Sequence, residues 1–202
     1  MRPGGGQAKG GSFERFVSKA LSRWCSAGHR EDLFWRTAGS GALGTTKGVK
    51  NQLGDIGAIS TEGASLTAAC ILECKCYKSL DWSAFVFERK GTLDRFWLDL
   101  QLICLQHTRT PFMILKENRR PTVAMLPAKA INRQHVQPLC TLYRSASEPV
   151  LVVLTLDELV KHPYIEFTQR ANALAKELYA SAPNKRPAPH STPRARLPPG
   201  IP

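Results

Sequence analysis

The sequence predicts an α/β domain in which a central mixed β-sheet is flanked by helices. Two patterns point to it. Apolar runs of strand length occur at 67–77, 111–115, 122–126 and 150–154. Around them apolar residues recur at helical spacing: Phe13, Phe16, Val17, Ala20, Leu21 and Trp24; then Leu93, Phe96, Trp97, Leu100, Ile103 and Cys104; then Tyr164, Phe167, Ala171, Leu174, Ala175 and Leu178. A chain of 202 residues with 43% apolar content is expected to build one core. The Gly-rich residues 1–11 are expected to be disordered, and the domain occupies 12–180. Its core spans about 12–126, with a C-terminal strand and helices at 149–180. Residues 181–202 hold seven prolines and four basic residues without an acid, the composition of a disordered basic tail.

Lys and Arg outnumber Asp and Glu by 28 to 16, a net charge of +12. Such an excess calls for a polyanionic partner, nucleic acid before an anionic membrane. No apolar run is long enough to span a bilayer, and the start Met1-Arg2-Pro3 lacks the apolar core of a signal peptide, so the expected location is cytoplasmic. Gly4–Gly10 with Lys9 lacks the Gly-Lys-Ser/Thr order of a phosphate loop, so no nucleotide cofactor is expected. The six cysteines contain no CxxC pair; reduced thiols in a reducing compartment account for them. Cys70, Cys74 and Cys76 share a strand face as small buried hydrophobes, with a metal site the rarer use.

In chain order, Ser12 is a candidate N-cap for the first helix, and Glu14, one position past Phe13, turns about 100° from it toward the seam between helix and sheet. An acid in a first turn also suits the helix dipole. Asn51 to Ile59 is a short apolar segment with one acid, Asp55, beside Gly54 and Gly57. The run 67–77 contains Ile71-Leu72-Glu73-Cys74-Lys75-Cys76. Strand alternation puts Ile71, Glu73, Lys75 and Tyr77 on one face and Cys70, Leu72, Cys74 and Cys76 on the other. A carboxylate and an ammonium in a buried strand are costly unless paired or holding an ion. A solvent-facing salt pair is the competing reading. If the two segments are neighbouring strands, Asp55 converges on Glu73 and Lys75.

This D…ExK constellation resembles the PD-(D/E)XK nuclease superfamily. A helix bearing Glu14, the stretch Arg36-Thr37-Ala38-Gly39-Ser40-Gly41, a strand ending in Asp55 and a strand with Glu73 and Lys75 occur in the order found in archaeal-type Holliday junction resolvases. The resemblance covers roughly residues 11–126. It implies a restriction-endonuclease-like core, a homodimer and branched DNA as substrate. Gly54 stands where the superfamily name has Pro, and the loop from Ser40 to Asp55 is longer than in the resolvases. A restriction-like or repair nuclease, or a DNA-binding protein retaining the fold without catalysis, are the alternatives. An unrelated domain is a third, favoured if Glu73 and Lys75 sit on a strand not adjacent to Asp55.

Beyond that strand, Trp82 and Phe85 are expected to pack under a connection, and Thr92 to cap the second helix. No Tyr follows Gln101, which departs from the exonuclease branch of the superfamily. Lys116, Arg119 and Arg120 form a basic turn between two strands, and Thr155 with Glu158 fits a capping box. No helix-turn-helix, zinc finger or HNH arrangement is present, so structure-selective or non-specific cutting is expected over site-specific cutting.

Phosphodiester hydrolysis needs a positioned water and neutralised phosphate charge. A hard divalent ion serves both, and Mg²⁺ accepts one or two carboxylates, a carbonyl and waters. Asp55, Glu73 and the backbone carbonyl of Cys74 are the expected ligands of Mg²⁺, with Mn²⁺ as a substitute. Glu14 joins them through water or at a second ion. Lys75 orients the attacking water or stabilises the pentavalent phosphate. Ser40, by resemblance, binds the scissile phosphate; Arg36, Lys47 and Lys50 are the expected DNA contacts.

Overall fold

Alternation along the central strands divides their side chains into two apolar sets, and helices cover both. The computed structural model describes residues 5–37, 53–146 and 148–180. Its main sheet contains β3 (Cys70–Tyr77), β4 (Thr110–Glu117), β5 (Thr122–Pro127), β6 (Cys140–Leu142) and β7 (Leu151–Thr155), in the spatial order β3-β4-β5-β7-β6. A separate antiparallel pair, β1 (Phe34–Arg36) and β2 (Ile56–Ala58), lies beside β3. β3 and β4 are parallel and the other pairs antiparallel, so the sheet is mixed, as expected of a restriction-endonuclease-like core. The parallel pair needs a crossover. Helix α3 (Gly91–His107) supplies it.

On one face, Cys70, Leu72, Cys74, Phe112, Ile114, Ala124, Val152 and Leu154 pack against α1 (Gly5–Cys25) and α5 (Tyr164–Tyr179). Trp24 joins the two helices to each other: its indole N–H donates to the His162 carbonyl at 2.7 Å, and its ring lies 5.0 Å from that of Phe167. The opposite face carries Ile71, Met113, Leu115, Met125 and Val153 under Trp97 and Leu100 of α3 and under Phe85, which sits in a π-helical turn, Ala84–Glu88. Ala84 and Phe85 are buried there and Trp82 donates to Glu117, so the aromatic connection packs as the sequence suggested. Among the described residues, no helix is long and apolar enough to cross a membrane.

Boundaries differ from the sequence reading in physically instructive ways. α1 starts at Gly5, ahead of Ser12, so Gly5–Gly11 are helical. The run from Thr67 begins as α2 (Ala64–Ala69), and the strand opens only at Cys70. From Thr67 to Leu72 the run carries no charge, and an apolar run alone does not separate a short buried helix from a strand. Thr92 lies inside α3, where Lys90 holds the N-cap position and caps with no side chain. Thr155 does cap α4 (Leu156–Leu159), accepting from the Glu158 N–H at 3.0 Å. The three-residue strands β1 and β6 are too short to leave a period in the sequence.

Candidate active site

Asp55 reaches the β3 edge through its backbone. Gly54 forms a parallel bridge to Leu72, the Asp55 N–H donates to the Leu72 carbonyl at 2.8 Å, and the Thr37 N–H donates to the Asp55 carbonyl at 2.9 Å. The segment bearing Asp55 is therefore adjacent to the strand bearing Glu73 and Lys75, which disfavours the surface salt-pair reading. Gly54 makes this approach possible. It has φ +78°, and a Cβ there would stand 2.4 Å from the Leu72 carbonyl oxygen. Proline, locked near φ −65°, cannot replace it in this backbone. The departure from the superfamily name is thus a change of local conformation.

The Asp55 carboxylate is buried and accepts from the Cys74 N–H through Oδ2 at 2.8 Å. Because Cys74 directs its N–H to this edge, its carbonyl projects to the same edge. Glu73 and Lys75 leave the opposite sheet face, each with a side chain 21% exposed, and are ion-paired. Lys75 Nζ also lies 3.9 Å from Asp55 Oδ2 and 5.1 Å from the centre of the Phe96 ring. Glu14 comes from α1 and is mostly buried. Its Oε2 is 2.9 Å from Arg36 Nε on β1. The structure brings Glu14, Asp55, Glu73 and Lys75 together, together with the Cys74 backbone; Ser40, Lys47 and Lys50 lie outside the described residues.

Two features of this arrangement are not visible in the sequence. Arg36, expected at DNA, turns its guanidinium toward Glu14, and Gly11 makes the room: a Cβ on Gly11 would stand 2.9 Å from Arg36 Nη1. Thr37 donates its hydroxyl to the Gly54 carbonyl at 2.6 Å, holding the bend before Asp55. An Arg followed by a Thr carries no pattern that would reveal either contact.

The electrostatics are unbalanced. Three carboxylates, Glu14, Asp55 and Glu73, face two cations, Lys75 and Arg36. Burial raises the proton affinity of Asp55, against the opposing pull of Lys75 and the Cys74 N–H. Burial and the Asp55 charge do the same for Glu73. For Lys75, burial favours loss of the proton, but Glu73 and Asp55 together outweigh it and its affinity rises. The Cys74 thiol is pushed well up by burial and the surrounding acids, and Cys70 is pushed up by burial, which keeps both as packing groups.

Among the described residues, no three His, Cys, Asp or Glu side chains are gathered as a metal cage. A Mg²⁺-like ion does not require one, since one or two carboxylates, a carbonyl and waters suffice. The excess negative charge and the all-oxygen donor set of Asp55, Glu73 and the Cys74 carbonyl fit a hard divalent cation.

A mixed sheet flanked by helices, with Asp55 docked beside the Glu73-Cys74-Lys75 strand, has the form of a restriction-endonuclease-like core. The family model described as phage putative PDDEXK endonuclease matches residues 5–163, most of the chain, and the protein belongs to that family. No curated protein and no solved structure matches it.

Proposed function

We propose that this protein is a Mg²⁺-dependent endodeoxyribonuclease that hydrolyses phosphodiester bonds at the Asp55–Glu73–Lys75 site. The observation that carries the reading is the docking of Asp55 onto the β3 edge, which aims its carboxylate at the strand that bears Glu73 and Lys75. Asp55, Glu73 and the Cys74 carbonyl would hold the ion. When bound, a divalent cation supplies Lewis-acid chemistry, neutralising charge on the scissile phosphate and easing loss of the leaving oxygen.

The remaining work falls to the chain. Lys75, kept protonated by Glu73 and Asp55, donates to the attacking water or to the phosphoryl oxygen on which charge grows. Water forms the new bond to phosphorus, the bond to the leaving sugar oxygen breaks, and that oxygen leaves with a proton. Glu14 orients a water at the edge of the site, and Arg36 positions Glu14. The net charge of +12 favours DNA.

The finer reading is structure-selective cutting of branched DNA by a homodimer, in the manner of the junction resolvases. Its support is the order of the motifs and the absence of a base-reading module in the sequence.

The test is cleavage of matched four-way junction, flap and linear duplex DNA with Mg²⁺ and with chelator, by wild type and Asp55→Asn. Metal-dependent symmetric cuts confined to the junction, absent in the variant, would support a resolvase. Cutting of every substrate would keep the nuclease and discard junction preference. No cutting by folded, DNA-binding protein would overturn the nuclease reading.

A further inference from the structure

The chain has four tryptophans, and three have an internal use. Trp24 is 7% exposed and Trp97 fully buried, and Trp82 donates to Glu117 Oε2 at 3.1 Å. Trp35 differs. It is 55% exposed, and among the described residues its indole makes no ring contact or hydrogen bond. Exposing a side chain of this size to water forgoes a large burial gain, so its place in the fold matters.

That place is beside the candidate active site. The β1–β2 register sets Phe34 opposite Ala58, Trp35 opposite Gly57 and Arg36 opposite Ile56. Directly opposed residues in an antiparallel pair share a face. Phe34 and Ile56 are buried in the core under α1, so Trp35 and Gly57 occupy the other face. β3 presents Leu72 and Cys74 to that same core, so the Trp35 face of the hairpin corresponds to the β3 face from which Glu73 and Lys75 leave. The Thr37 N–H to Asp55 carbonyl bond sets Asp55 one ladder step beyond the Trp35–Gly57 pair, a diagonal neighbour of Trp35 roughly 7–8 Å away. Gly57 opposite it adds no side chain, leaving the indole flanked by flat backbone.

We propose that Trp35 is a stacking platform for a nucleobase next to the phosphodiester held at Asp55 and Glu73, and that the preferred substrate is DNA with an unpaired base at the cut. This deepens the nuclease reading and rests on it for the word "cut". The charge of the chain selects the occupant: an exposed aromatic face in a protein of net charge +12 matches a base attached to a polyanionic backbone. An indole stacks on any base without regard to sequence, which agrees with the lack of a base-reading module. Within paired duplex both faces of a base are already stacked, so the platform discriminates in favour of gaps, flaps and single strands.

The experiment is a fluorescence titration of the full chain with an oligothymidine in the presence of chelator, which needs no catalysis. Trp35 is the most accessible emitter, so wild type should lose emission on binding. Trp35→Phe should bind with affinity within a few-fold of wild type while the quenched component disappears. Trp35→Ala should weaken binding by about 10- to 100-fold, the value of one lost base stack. Because the side chain is exposed, both variants should keep the wild-type unfolding midpoint.

Quenching unchanged in Trp35→Phe, or wild-type binding by Trp35→Ala, would overturn the proposal. So would a switch from dimer to monomer in Trp35→Ala without loss of DNA affinity, which would make this face a contact between copies. In Mg²⁺, wild type should cut a gapped duplex faster than the intact one, and Trp35→Ala should lose that preference. Equal cutting of both by wild type would overturn the substrate preference. Quenching lost in Trp35→Phe with no cleavage of any DNA would keep the stacking contact and overturn the nuclease reading instead.

Discussion

Among the described residues, two clusters of charge are built on opposite principles. At the candidate active site, Glu14, Asp55 and Glu73 face Lys75 and Arg36, leaving one carboxylate in excess. Behind α3, Arg144 and Arg89 face Asp94 and Glu148, and the charges balance. Arg144 is 1% exposed, ion-paired with Asp94, 3.5 Å from Glu148 Oε2, and stacked 4.3 Å from the centre of the Phe85 ring. A balanced cluster closes on itself and fixes the 140s loop to α3 and the π-helical turn. The unbalanced one keeps an excess carboxylate, and it forms where the Gly54–Asp55 segment docks on the β3 edge.

The contrast predicts opposite responses to removing one charge. Asp55→Asn should lower the cleavage rate by ~10²–10³-fold or more, as expected for loss of one electrostatic group acting on the transition state. It keeps an acceptor for the Cys74 N–H and relieves repulsion with Glu73. Its unfolding free energy without metal should therefore rise, by about 1 kcal/mol in urea titration. Arg144→Ala should do the reverse. It strands Asp94 in the interior and should cost about 3–5 kcal/mol of stability while the folded fraction retains wild-type activity.

A smaller effect separates the clusters by pH. Burial raises the proton affinity of Asp55, and burial with the Asp55 charge raises that of Glu73. The stability these protons contribute is full below the unfolded carboxylate value of about 4 and is lost as pH rises through the raised folded values. In chelator, the stability advantage of Asp55→Asn over wild type should therefore widen from pH 4 toward neutrality. A constant difference would contradict the raised affinity of Asp55. The smallest effect concerns Gly11. A methyl there displaces the Arg36 guanidinium from Glu14, so Gly11→Ala should slow cleavage several-fold while gaining up to about 1 kcal/mol from helix propensity. Unchanged turnover would show that Arg36 does not position Glu14.

The same contrast explains what could be read in the sequence. Glu73 and Lys75 were legible because a charged pair interrupts an apolar strand at period two, and Asp55 because a lone acid sits between glycines in a short apolar segment. Glu14 was legible only in their company. The helical stripes of α1, α3 and α5 follow from spacing, since each buries one continuous face. The Arg144 cluster was not legible. Its four members come from two stretches of sequence, 89–94 and 144–148, and each alone looks like an ordinary surface charge. β1 left no period over three residues, so the Arg36–Glu14 pair and the exposed Trp35 both depend on a pairing that only the fold supplies. The role of Gly54 was hidden for a related reason: its φ of +78° is a property of the approach to β3.

The most direct test of the central claim is the binding of Mn²⁺ to the protein without DNA, followed by electron paramagnetic resonance as the free-ion signal disappears. Wild type should bind Mn²⁺, and both Asp55→Asn and Glu73→Gln should lose that binding while Arg144→Met, which disturbs only the balanced cluster, retains it. Equal binding by wild type and the two site variants would mean that the excess carboxylate serves no cation, and the account of this site would fail.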